Sequence, residues 1–179
     1  ASETMLEALA PLDLAHCDPV PRLQFDLQSK ATRVLALHPG SGSKLKNWPE
    51  AKWEQLIGRL CEDGEQLLLI GGECEAKRVE RLAIHFAENN VRAMVNRPLT
   101  EVAQTLAGCR GLVGHDSGIS HLSAALNASC VLMWGATDEV VWRPAGNRVS
   151  IIRGTNGISS IEVSAVLGEI KKCFPPIDS

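Results

Sequence analysis

The chain has 179 residues, 45% of them hydrophobic and 22% charged, with a formal net charge of -3. That length suits one compact domain, and the composition excludes a disordered chain. No apolar run approaches the ~20 residues of a membrane span, no secretory segment opens the chain, and the slightly acidic balance argues against a nucleic-acid binder.

Residues 1–33 differ in character from the remainder of the chain. Met5, Leu6 and Leu9 mark a short amphipathic helix, and Pro11, Pro19 and Pro21 then break regularity. From Val34 onward, apolar runs alternate with helical patterns. The runs are Val34–His38, Leu67–Ile70, Val91–Val95, Gly111–Gly114, Cys130–Trp134 and Val149–Ile152. Between them come a helix from Pro49 to about Asp63-Gly64 and a charged helix from Glu75 to about Asn89. A helix over Leu99–Gly108 capped by Thr100 and a small-residue helix over Gly118–Leu126 come next. Ser159-x-x-Glu162 reads as a capping box opening a last helix that runs to about Lys172. Short apolar strands joined by helical crossovers predict an α/β fold, a doubly wound parallel Rossmann-like sheet. The six cysteines (Cys17, Cys61, Cys74, Cys109, Cys130 and Cys173) form no CxxC pair, so they read as reduced, core-type thiols of a cytoplasmic protein.

In such sheets ligands lie beyond the carboxyl ends of the strands. The loop His38–Pro49 combines Gly40, Ser41, Gly42, Ser43, Lys44 and Lys46. Small residues, hydroxyls and cations suit an oxyanion, although the spacing is neither a Walker A loop nor a dinucleotide fingerprint. A polar loop with solvated lysines is the plain alternative. Gly71-Gly72 either simply turns the chain, with Glu73 and Glu75 complementing the next helix dipole, or Glu73 offers its carboxylate to sugar hydroxyls. Gly114-His115-Asp116-Ser117-Gly118-Ile119-Ser120-His121 carries a strand into a helix whose free amides face the crevice. Asp116 is either a ligand contact or a helix cap, and His121 either faces the crevice or is a core histidine. Gly-x-Ser-x-Gly is absent, which rules out a serine-hydrolase elbow. The last loop, Trp134-Gly135-Ala136-Thr137-Asp138, continues to Arg143, a surface arginine or a phosphate clamp. Trp48, Trp53, Trp134 and Trp142 suit packing better than base stacking.

Together these segments resemble the heptosyltransferases of glycosyltransferase family 9, in the C-terminal half of their two-domain GT-B fold. The resemblance rests on Lys46-Asn47-Trp48-Pro49-Glu50, Gly71-Gly72-Glu73, Leu99-Thr100-Glu101 through Cys109, and Trp134–Asp138. Its most specific element is Asp116-Ser117-Gly118-x-x-His121-Leu122-x-Ala124-Ala125. It implies an inter-domain helix and linker over 1–33 and a nucleotide-sugar-binding domain over 34–179. Ser41, Gly42 and Lys46 then correspond to a diphosphate loop and Glu73 to a ribose contact. Asp116, Ser117, Gly118 and His121 correspond to the sugar and phosphate cradle. The implied donor is ADP-heptose, transferred with inversion to a lipopolysaccharide core acceptor. The catalytic base belongs to an N-terminal domain without counterpart here, so no catalytic residue is expected in this chain. No Asp-x-Asp motif is present, and no metal or other cofactor is expected. Rival readings are a non-catalytic nucleotide-sugar binding module and a doubly wound domain that serves oligomerisation.

Overall fold

A computed structural model describes residues 10–12, 18–25 and 32–175. Six strands form one sheet: β1 (Leu35–Leu37), β2 (Leu67–Gly71), β3 (Val91–Val95), β4 (Gly111–His115), β5 (Ser129–Trp134) and β6 (Val149–Arg153). Their order is β3-β2-β1-β4-β5-β6, and every neighbouring pair is parallel. This is the expected doubly wound sheet. The order reverses between β1 and β4, so the loops leaving those strands diverge and open a crevice there.

The helices are α1 (Glu50–Glu62), α2 (Ala76–His85), α3 (Leu99–Gly108), α4 (Gly118–Ala125), α5 (Glu139–Trp142) and α6 (Val163–Cys173). Alternation along the strands builds two cores, because successive side chains point to opposite faces. On one face Leu35, Leu37, Val113, Val131 and Met133 meet Trp53, Leu56 and Ile57 of α1 and Val166 and Ile170 of α6. On the other, Ala36, Leu112, Cys130 and Leu132 meet Val102 and Leu106 of α3 and Ala124 of α4. Strands covered on both faces must be apolar throughout, which is why β2, β4 and β5 are wholly buried.

Several local expectations are corrected. Thr100 does not cap α3: Pro98 stands at the N-cap, and Thr100 lies inside the first turn. No capping box forms at Ser159–Glu162, because residues 158–160 make a 3-10 turn and α6 starts at Val163 without a side-chain cap. The charged helix ends at His85, and a separate 3-10 turn covers Ala87–Asn89 before left-handed Asn90 (φ 57°). Pro49 precedes α1, its carbonyl accepting from the Lys52 and Trp53 amides. The four-residue α5 is too short to leave a periodic signal in the sequence; Asp138 caps it by accepting from the Val140 amide.

Among the cysteines, Cys109 and Cys130 are buried, but Cys74 is exposed, against the expectation of core thiols. Cys17 and the helix expected around Met5 lie outside the described residues. Trp48, Trp53 and Trp134 are core residues, whereas Trp142 is half exposed. Among the described residues no helix is long and apolar enough to cross a membrane.

Candidate functional site

Three strand-end loops converge on one carboxylate. Asp116 follows β4 and is 4% exposed. Its Oδ2 accepts from Lys46 Nζ at 2.6 Å and from Thr137 Oγ1 at 2.8 Å. Lys46 belongs to the loop after β1, and Thr137 to the loop after β5, whose position is fixed by Trp134 Nε1 donating to the Thr137 carbonyl. A buried carboxylate needs such partners, because an uncompensated charge in the interior is costly. Only one of the three ammonium hydrogens of Lys46 is used on Asp116, and its side chain stays 31% exposed. The cation is therefore held in place and still open to an anion.

Asp116 is not the cap of α4. Ser117 takes that place in extended conformation, its hydroxyl accepting from the Ser120 amide, while the Ser120 hydroxyl donates to the His115 carbonyl. The helix starts at Gly118, so the amides of Gly118 and Ile119 have no partner inside their own helix. Following a parallel strand, that end faces the carboxyl edge of the sheet, where its partial positive charge favours an anion.

The first loop is built by its own hydrogen bonds. The single proton of the Ser41 hydroxyl goes to Asn47 Oδ1 at 2.7 Å, with the Ser43 carbonyl also within reach at 3.1 Å. Gly42 adopts a left-handed conformation (φ 68°) and donates its amide to Glu75 Oε1 at 2.9 Å. Glu75 Oε2 accepts from the Gly72 amide at 3.2 Å, so this one side chain ties the first two loops together. On sequence alone Glu75 has only a helix-dipole role. Glu73, the expected ribose contact, is exposed and makes no hydrogen bond among the described residues. His121 is likewise exposed in the first turn of α4, which removes the core-histidine alternative. Arg143 is engaged with Glu139 and the Val149 carbonyl, so it is no free phosphate clamp.

Two buried histidines at strand ends are structural parts of the site that sequence reasoning misses. His38 Nδ1 donates to the Ile70 carbonyl at 2.8 Å, and burial holds its pKa below the usual value. His115 is fully buried, with Nε2 3.0 Å from the Trp48 amide and Nδ1 3.2 Å from the Gly40 carbonyl. Burial pushes its pKa down to about 3, so the ring is neutral. The signal available in the sequence is its place at the last strand position, directly before Asp116.

A Rossmann-type sheet with a cation, hydroxyls and helix amides gathered at its switch point defines a doubly wound α/β domain with its candidate site where such sheets place their ligands. Residues 7–166 match the profile of glycosyltransferase family 9 (heptosyltransferase), and the chain belongs to that family. It is 34% identical to lipopolysaccharide heptosyltransferase 1 of Salmonella typhimurium over 127 residues, covering 70% of this chain and 39% of that protein. Against the same-named protein of Escherichia coli K12 the identity is 40% over 94 residues, covering 52% and 29%. Among solved structures, E. coli heptosyltransferase WaaC with ADP aligns with a TM-score of 0.76 at 31% identity, over 83% of this chain and 46% of that one. WaaC with ADP-2-deoxy-2-fluoro heptose gives a TM-score of 0.72 at 32% identity, over 82% and 45%. The chain thus spans less than half the length of these relatives.

Proposed function

We propose that this chain is the donor-binding half of an inverting GT-B glycosyltransferase that moves heptose from ADP-heptose to a lipopolysaccharide core acceptor. The observation that carries the reading is the junction of Lys46, Asp116 and Thr137, which joins the loops after β1, β4 and β5 beside the amino end of α4. Breaking a glycosyl-diphosphate bond leaves negative charge on the departing phosphate, and fixed cations and amides lower that barrier. Lys46 and the amides of Gly118 and Ile119 supply this without a metal ion. Ser41, Gly42 and Ser117 line the phosphates. The carboxylate of Glu73 takes the ribose, and Asp116 and His121 face the sugar. The related WaaC structures with ADP and with a fluorinated ADP-heptose support this choice of donor. Residues 1–33 serve as the link to an acceptor-binding domain that carries the base.

Calorimetric titration of the 179-residue chain with ADP-heptose, ADP and adenosine tests the reading. ADP-heptose and ADP should bind and raise the melting temperature, as any ligand selective for the native state does. Failure of both to bind would overturn it.

A further inference from the structure

We propose that His115 is a positioning residue: its imidazole clasps the loop after β1 at both ends and thereby sets Lys46 against Asp116. The proposal rests on reading residues 40–48 as the phosphate-binding loop. β4 and the position after it supply two consecutive residues whose side chains serve this one loop. The Trp48 amide is a donor, so the nitrogen it meets, Nε2 of His115 at 3.0 Å, carries the lone pair. The proton is then on Nδ1, and it goes to the Gly40 carbonyl at 3.2 Å. Between these anchors the chain passes Ser41, Gly42 and Lys46.

Within the anchored segment the other ties are polar: Ser41 to Asn47, the Gly42 amide to Glu75 and the Lys46 amide to the Ser43 carbonyl. Leu45 is 81% exposed and Gly42 is exposed, so no core holds the loop from within. The imidazole itself is held firmly: the Trp53 ring packs edge-on against it at 5.4 Å, and Trp48 packs on Trp53 at 5.5 Å. Desolvation keeps the ring neutral, in the single tautomer that serves both partners. Lys46 stands two residues before Trp48, and its acceptor Asp116 stands one residue after His115. The backbone anchor and the side-chain partner of the lysine therefore come from adjacent positions, and displacing the first displaces the cation from the second.

His115→Leu removes both hydrogen bonds; His115→Gln keeps an acceptor and a donor on one amide. His115→Asn, which is one methylene shorter and reaches one partner, serves where the leucine variant does not fold. The first readout needs no ligand: the acylation rate of the Lys46 amine by acetic anhydride, followed by peptide mass spectrometry. It should rise several-fold in His115→Leu and return towards wild type in His115→Gln. Lys171, which pairs with Asp63 away from this loop, serves as the unchanged control. Unaltered Lys46 reactivity in a folded leucine or asparagine variant overturns the proposal. The second readout is a double-mutant cycle on ADP affinity. His115→Leu should weaken ADP by about tenfold, the order of one lost charge-assisted hydrogen bond, and leave adenosine unchanged. In a Lys46→Ala background it should cause no further loss. An equal loss with and without Lys46 also overturns the proposal. Absence of ADP binding in the wild-type chain counts against the phosphate-loop reading, while the acylation result still decides whether His115 places Lys46.

Discussion

Lys46 and Asp116 lie 70 positions apart in the chain, yet their charged atoms meet at 2.6 Å at the switch point of the sheet. The lysine thus has two tasks, compensating a buried carboxylate and offering its remaining hydrogens to an anion. Lys46→Ala should cost about 1–3 kcal/mol of stability, because Asp116 keeps only the Thr137 hydroxyl. Diphosphate affinity should fall by a similar amount. Asp116→Asn should release the lysine while keeping a polar side chain for Thr137. Urea denaturation and ADP calorimetry on both variants check this; unchanged ADP affinity in Lys46→Ala would return the residue to a purely structural role.

Gly40 and Glu75 share a close approach. A Cβ on Gly40 would lie 2.0 Å from Glu75 Cγ, and the Glu75 carboxylate is pinned by the Gly42 and Gly72 amides. Gly40→Ala should therefore destabilise the fold by about 1–3 kcal/mol, as overpacking generally does. Truncating the obstacle as well should recover part of the loss. Denaturation of Gly40→Ala, Glu75→Ala and the double variant measures the coupling, and simple additivity would mean that the two residues do not collide.

The neutral His115 makes the fold sensitive to acid. Its ordinary value of 6.5 falls to about 3 in the native state, first through burial, while His38 and Arg78 nearby further disfavour the imidazolium and the Gly40 carbonyl favours it. Below about pH 6.5 the unfolded chain therefore binds a proton that the native state refuses. Stability should fall as pH drops from about 6.5 toward 3, with a slope of up to about 1.4 kcal/mol per pH unit from this residue. His38, also shifted down, adds in the same direction. Urea midpoints between about pH 7 and pH 5 should show the decline, and His115→Gln should flatten part of it. A midpoint independent of pH over that range would contradict buried neutral histidines.

The strands are legible in the sequence because both faces of the sheet are covered, so apolar runs such as Leu67–Ile70 and Cys130–Trp134 stand out without any partner being known. Helix ends are less so. Ser159 and Glu162 have capping-box spacing, yet the chain there makes a 3-10 turn before α6 begins. At the site, the residue types Lys46, Asp116 and Ser117 are visible, but their pairings are not. A bond from Lys46 to Asp116 depends on β1 and β4 being neighbours, which no local spacing encodes. The tie made by Glu75 is hidden for the same reason: its partner Gly42 lies 33 positions away, and a glutamate at the start of a helix already has a local explanation.

These 179 residues should bind donor and transfer no sugar. Inverting transfer needs a base to deprotonate the acceptor hydroxyl, and the groups at this crevice are already committed. His115 has both ring nitrogens occupied and a pKa of about 3, so it cannot hold a proton near neutrality. His38 is buried and donates to the Ile70 carbonyl. Asp116 accepts from Lys46 and Thr137. Glu73 and His121 are exposed, and in the proposed reading both are taken by the donor. General-base catalysis typically contributes about 10²–10⁴-fold, and placing the acceptor contributes more, so loss of both should leave turnover undetectable. The check is incubation of the purified chain with ADP-heptose and a truncated lipopolysaccharide acceptor, with ADP release and glycosylated product both followed. Donor binding without product is the expected result; clear product would mean that the base and the acceptor surface both lie within these residues.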